Sequence, residues 1–237
     1  MKTALTRADA LPLARRLAAD LETATEAITA LDAEVGDGDL GVTCRLGMKA
    51  VTDLLPTLTQ APFSEQLLKA GMAFNAAGAS TFGALVATAA MRGAKYLREQ
   101  QAEQLDLAAV AGALKAAAEG IQQRGKAARG DKTLLDSLWP AIEALEAARS
   151  QGKGLADALA EAAVAAEGGA EATRPLKSKF GRAAWMQDRT IGVSDSPFLR
   201  FTDSPIRQST GLRIKRLAPG CLVSFRHDGG ERACRMR

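Results

Sequence analysis

The densest chemistry in the chain lies in Leu31–Gly41, "LDAEVGDGDLG", where Asp32, Asp37 and Asp39 are spaced D-x4-D-x-D among Gly36, Gly38 and Gly41. The glycines spell G-x-G-x-x-G, but a dinucleotide turn needs a β-strand before them and an acid about 20 residues on. A helical pattern precedes them instead. An EF-hand is also excluded, because the D-x-D-x-D-G order and the closing glutamate are missing. What the spacing suits is a cluster. Asp32 falls in the last turn of a first helix, while Asp37 and Asp39, two apart in an extended loop, point the same way. The glycines let the backbone fold tightly enough for all three to converge. Converging carboxylates repel one another unless a cation lies between them, and hard oxygen donors suit Mg²⁺, which keeps positions open for phosphate oxygens. The loop is therefore expected to bind a nucleotide phosphate through metal.

Other candidate motifs lead elsewhere. Gly125-x4-Gly130-Asp131-Lys132-Thr133 is one residue off a phosphate-binding P-loop. A P-loop, however, follows a strand and accepts no acid among its phosphate-facing amides. Asp131 is read instead as the cap of a helix beginning near Thr133. Cys44, Cys221 and Cys234 are odd in number and share no C-x-x-C spacing, so they read as plain thiols. The single histidine, His227, stands in a polar stretch with no partner for a histidine-dependent triad.

The elements that must position the cluster are helical. Leu13, Leu17 and Leu21 recur at i, i+4, i+8; Val110, Leu114 and Ile121 at i, i+4, i+11; Leu134, Leu138, Ile142 and Leu145 at i, i+4, i+8, i+11. Alanine-rich stretches between them have high intrinsic helicity and allow close packing. Punctuation predicts seven helices: about 10–32 with Asp9 as cap, one closed by Pro56 and Pro62, one opened by Ser64 and Gln66, one after "NAAGAST" (75–81), then 105–123, 133–148 and 155–179, with Gly125, Gly130, Gly152 and Gly154 as breakers. Short loops favour antiparallel neighbours, hence an all-α bundle or barrel.

Composition bounds the rest. Of the 237 residues 47% are hydrophobic, yet no apolar run approaches a membrane span, the longest being "FGALVATAAM" at 82–91. The N-terminus is broken by Arg7, Asp9, Arg15 and Arg16, so no signal peptide forms and the chain reads as cytoplasmic. The basic excess is confined to residues 198–237, with nine Lys/Arg against three Asp/Glu, which leaves the body slightly acidic. Residues 1–197 are therefore read as the functional domain. The tail alternates apolar and basic residues around Pro219–Gly220, a pattern for a short hairpin or a disordered segment. Its charge is read as solvated surface rather than a nucleic-acid arm.

Five segments in order carry a resemblance: "LDAEVGDGDLGVT", "GAS" (78–80), "RGKAARGDKTLLDSL" (124–138), "EGGAEATRPL" (167–176) and "GRAAWMQDRTIG" (181–192). Together, over about residues 1–195, they resemble the nucleotide-binding L subunit of bacterial dihydroxyacetone kinases. The resemblance implies a barrel of eight antiparallel helices with ADP or ATP and two Mg²⁺ at one end. It implies that Asp32, Asp37 and Asp39 hold the metals. It places Leu40, Gly41, Val42, Thr43, Ala79, Ser80, Gly125, Leu134, Arg182, Asp195, Ser196 and Pro197 against the nucleotide, with Gly125 and Leu134 lining the base.

The resemblance also implies a partner, a separate K-type subunit that holds the triose covalently through a histidine. It leaves two phosphoryl donors open, a phosphotransferase-system protein that recharges bound ADP, or exchanging ATP. Leu40 stands where the family has a histidine, and Val193, Ser196 and Pro197 replace its His, Pro and Gly where an eighth helix begins. These departures keep a second reading alongside the kinase subunit, that of a non-catalytic nucleotide-binding module.

Overall fold

A computed structural model describes residues 3–193 and, in backbone alone, three short strands of the tail. Seven α helices follow one another: α1 (Arg7–Val35), α2 (Leu40–Leu54), α3 (Phe63–Ala77), α4 (Thr81–Glu99), α5 (Leu107–Gly125), α6 (Leu135–Ser150) and α7 (Leu155–Ala172). Turns of 3-10 helix, Leu55–Leu58 and Arg182–Thr190, follow α2 and α7. Strand β1 (Ala4–Leu5) pairs antiparallel with β2 (Leu105–Asp106) just before α5. Each helix packs on the next, giving the expected all-α antiparallel bundle. Among the described residues α7 does not pack broadly back on α1; the Arg182–Thr190 turns reach α1 instead. No described helix is long and apolar enough to cross a membrane.

In the tail, β3 (Arg213–Ile214), β4 (Ser224–His227) and β5 (Gly230–Ala233) form an antiparallel sheet in that order, with Ile214 opposite Phe225 and Phe225 opposite Arg232. The expected turn at Pro219–Gly220 lies outside the described residues. Cys221, Cys234 and the side chain of His227 lie outside the described residues.

Several helix ends differ from the sequence reading for local reasons. Asp9 is not the first cap of α1. Thr6 takes that place, and the Asp9 carboxylate reaches back to accept the Thr6 amide at 2.7 Å and hydroxyl at 2.8 Å. The third helix begins at Phe63, and Gln66 is buried, donating to the carbonyls of Leu58 and Ala61. Helix α7 stops at Ala172, seven residues short of the expected end. Thr173 turns its hydroxyl onto the Ala170 carbonyl, and Pro175 has no N–H with which to continue the helix.

The stripe expected on α1 is also displaced. Leu13 and Leu17 are 48% and 36% exposed, while Leu21 and Ile28 are buried with Leu11, Ala14 and Ala18 packed beside them. Spacing of i, i+3, i+7, i+10 defines the true core face, and it became visible only when alanine counted as a core residue. One core cluster joins α1–α3 through Cys44, Met48, Val51 and Phe74. Another, mostly alanine, joins α5–α7 through Leu107, Leu145 and Leu155. A third, around Ile121, Leu135 and Ile142, draws in Leu85 and Ala89 of α4 and so links the halves.

Small residues set the distance between α6 and α7. A Cβ on Gly169 would lie 2.1 Å from the Asp136 carbonyl oxygen, whereas one on Gly168 would meet nothing within 4 Å. Gly169→Ala is expected to lower stability by about 1–3 kcal/mol through forced separation of the helices. Gly168→Ala should raise it by about 0.5–1 kcal/mol through helix propensity alone. Urea midpoints of the two variants, moving in opposite directions, check the close approach.

Candidate functional site

The link between α1 and α2 is four residues long, and it gathers the three aspartates. Asp32 lies in the last turn of α1, and its carboxylate accepts the Leu40 amide of α2 at 3.1 Å. Gly38 takes φ +73°, the left-handed turn that lets the chain reverse without a side-chain clash. Asp39 precedes α2, and its carbonyl accepts the Thr43 amide at 2.9 Å while its side chain makes no capping bond. One carboxylate oxygen from each of Asp32, Asp37 and Asp39 lies within 4.8 Å of the others. The convergence expected from the spacing is therefore present. Three hard oxygen donors at this separation fit a divalent cation that completes its shell with water or phosphate.

The helix crossing holds the link in place. A Cβ on Gly41 would sit 2.3 Å from the Thr29 hydroxyl and 2.4 Å from the Thr25 carbonyl of α1, so only glycine allows this approach. The same first turn of α2 meets the loop before α4. The Thr43 carbonyl lies 2.9 Å from where a Gly78 side chain would begin. Ser80 then caps α4 by accepting the Gly83 amide at 3.0 Å. Residues 40–43 and 78–80 thus stand together, with Val42 and Ala79 exposed and Thr43 buried.

Arg182 arrives from the far end of the chain. Its guanidinium pairs with Asp37 and lies 3.8 Å from Asp39. Gly125 ends α5 with open space where a side chain would project, and Leu134 is half-buried against Leu135 and Ile142. Asp195, Ser196 and Pro197 lie outside the described residues.

Sequence reasoning misassigned the cap of α6 and missed a buried lysine. Asp131 does not cap the helix. Its carboxylate accepts Lys179 Nζ at 2.7 Å and the Ala128 amide at 2.8 Å, and these bonds, Lys179 first, hold it below the usual carboxylate range. Asp136, buried, takes the capping work by accepting the amides of Thr133 at 2.8 Å and Gly130 at 2.5 Å. Lys132, between them, is 3% exposed and donates to the carbonyls of Thr173, Leu176, Thr190 and Val193. Its acceptors lie 41 to 61 residues away, so no local pattern announces them.

This arrangement defines a class: an all-α bundle whose α1–α2 corner presents three carboxylates flanked by an arginine. The chain belongs to the DAK2 domain family, which matches residues 34–196. It is 31% identical over 173 residues to the ADP-binding subunit DhaL of the PEP-dependent dihydroxyacetone kinase of Escherichia coli, covering 73% of this chain and 81% of that one. The ADP-binding subunit DhaL of the PEP-dependent dihydroxyacetone kinase 1 of Listeria innocua is 29% identical, over 70% of this chain and 76% of its own length. Triokinase/FMN cyclase of Rattus norvegicus is 34% identical but is matched over only 29% of its length. Among solved structures, the native dihydroxyacetone kinase of C. freundii shares the fold at TM-score 0.62 and 24% identity, covering 85% of this chain and 34% of that one. The same kinase in complex with AMP-PNP and Mg²⁺ gives 0.58 and 25%, over 77% and 31% of the two chains.

Two measurements check the local geometry. Gln187, at a kink inside Arg182–Thr190, has φ 48° and ψ −121°, a backbone that glycine takes readily and a side chain resists. Gln187→Gly is expected to stabilise the fold by about 1 kcal/mol, read as a higher melting temperature. Cys44, fully buried, has its thiol pushed up to about 12 from 9.0, first by burial and then by the negative charge of Asp32. The folded state keeps this proton where the unfolded chain loses it, so the thiol's contribution is intact below pH 9 and disappears as pH rises towards about 12. Alkaline titration of stability should fall through that window, and Cys44→Ala should flatten the fall.

Proposed function

We propose that the chain is the nucleotide-binding subunit of a dihydroxyacetone-type kinase, a phosphotransferase that presents Mg²⁺ with ADP or ATP to a triose held on a separate K-type subunit. The observation that carries this reading is the convergence of Asp32, Asp37 and Asp39 beside Arg182 in a member of the DAK2 family. Support comes from the E. coli relative, an ADP-binding subunit, and from the C. freundii kinase crystallised with AMP-PNP and Mg²⁺. The functional unit is residues 1–197, with 198–237 as an appendage, and the complex works in the cytoplasm.

In this reading the three aspartates hold two Mg²⁺, which when bound neutralise phosphate charge and polarise the transferred group. Asp32 is oriented for this by the Leu40 amide. The amides of Gly41 and Val42 stand in the first turn of α2, where a helix offers them no carbonyl and where phosphate oxygens are favoured. Ala79 and Ser80 close the other side, Gly125 and Leu134 border the base, and Asp195, Ser196 and Pro197 complete the nucleotide contacts. Arg182, paired with Asp37 and Asp39, adds positive charge where phosphate charge develops. No nucleophile on this chain is needed. The chain has one histidine, His227, outside the family match, so the acceptor sugar must be brought by the partner.

The PEP-dependent relatives favour a phosphotransferase-system protein as donor, with ADP retained as a cofactor. Retention of nucleotide through desalting is the expected sign of that regime; free exchange would indicate ATP. The replacement of histidine by Leu40 motivates the second reading, a nucleotide-binding module without turnover.

Calorimetry of ADP binding tests the site. Affinity should rise at least about tenfold when Mg²⁺ is added, and Asp37→Ala should abolish that gain. Equal affinity with and without Mg²⁺ would remove the proposal. Mixing with a K-type subunit, triose and donor should then give phosphorylated triose, and its absence under both donor regimes would leave only the module reading.

A further inference from the structure

Burying a lysine is costly unless each of its donors is satisfied. Lys132 meets that condition through backbone carbonyls. Nζ donates to the carbonyls of Thr173 at 3.1 Å, Leu176 at 3.0 Å, Thr190 at 2.6 Å and Val193 at 2.7 Å. Three N–H groups shared among four carbonyls leave no donor idle. Thr173 is the C-cap of α7, where the helix dipole is negative and favours a cation. An apolar side chain of equal length would fill the space yet leave buried carbonyls without a donor.

The residues so gathered are the two ends of one lobe. Residues 174–192 form a loop closed on itself. The Gly192 amide donates to the Arg174 carbonyl at 2.8 Å, and the Ser178 amide donates to the Thr190 hydroxyl at 3.1 Å. Lys132 grips the base of that loop on both sides, at Thr173 and Leu176 and again at Thr190 and Val193. Arg182 lies in its outer part, where it meets Asp37 and Asp39.

We propose that Lys132 is a positioning residue for Arg182: its ammonium locks the 174–192 lobe onto the start of α6 in the one placement that delivers the arginine to the carboxylate cluster. The lock itself is a statement about the lobe. Its consequence for nucleotide rests on the function proposed above.

The test uses the full chain in a Trp139→Phe background, which leaves Trp185, 82% exposed on the lobe, as the only tryptophan. Without nucleotide, Lys132→Ala should lower Trp185 anisotropy while far-ultraviolet circular dichroism keeps its helical signal. n-Butylammonium, able to re-enter the carbonyl cage, should restore the anisotropy, and tetramethylammonium, which has no N–H, should not. Unchanged anisotropy in folded Lys132→Ala, or equal effects of the two ions, would overturn the lock. With Mg²⁺ and ADP, Lys132→Ala and Arg182→Ala should each weaken binding about tenfold, and the double variant no more than Arg182→Ala alone. Losses that multiply would show that the lysine does not act through Arg182. Lys132→Met, which keeps the volume, replaces Lys132→Ala should the latter fail to fold, and the same non-additivity decides. A wild-type chain that binds no Mg²⁺–ADP would refute the function and leave the anisotropy arm to judge the lock.

Discussion

Three negative charges held within 4.8 Å of one another constrain the rest of the molecule. Two unit charges about 4 Å apart repel by about 1 kcal/mol in water and about 4 kcal/mol at an effective dielectric of 20. Asp37 and Asp39 are 41% and 54% exposed, so their repulsion lies near the lower figure and the fold tolerates it. A nucleotide diphosphate brought to the same place would add charge and exclude water, moving the balance towards the higher one. A site of this kind can accept phosphate only with cations between. The short α1–α2 link, the glycine at the helix crossing and the Leu40 amide on Asp32 all keep the carboxylates close in spite of that repulsion.

The two halves of the bundle divide the work. The α1–α4 half supplies the carboxylates and the facing loop 78–80. The α5–α7 half has a core that is mostly alanine. Its role is to anchor. Close packing of α6 on α7 fixes the end of α7 beside the start of α6, and there the side chains of Lys132 and Asp136 tie down the backbone of the adjoining loops. The lobe carrying Arg182 grows from that anchor across to α1. The acidic and basic components of the site therefore come from opposite ends of the sequence, and neither is placed correctly without the helical framework between.

That division explains what could be read from the sequence. Asp32, Asp37 and Asp39 lie within eight residues, so their spacing and the glycines beside them carried the geometry. The helix count was legible because leucine and isoleucine periodicity survives in α5 and α6, where Ile121, Ile142 and Leu145 are buried as expected. On α1 the same method chose the wrong face, since Leu13 and Leu17 outweighed the alanines that pack the core. The Asp131 cap did not form: Lys132 turns the chain at φ 59°, and Asp136 accepts the amides of Gly130 and Thr133 instead. Arg182 came from the resemblance alone, and Lys132 from neither pattern nor resemblance, because a cage of distant carbonyls has no side-chain signature.

The departure at Leu40 can be weighed against this geometry. A polar residue lost beside a phosphate would matter most if its side chain faced the ligand. Here the Leu40 side chain is half-buried and packs against the cluster containing Cys44, Met48 and Phe74. Its backbone amide points the other way, to Asp32. The position thus performs two tasks, seating the start of α2 on the core and orienting one carboxylate, and leucine suits the first while any residue with an N–H suits the second. The change at residue 40 consequently weighs little in favour of a vestigial site, and the burden of that reading shifts to Val193, Ser196 and Pro197.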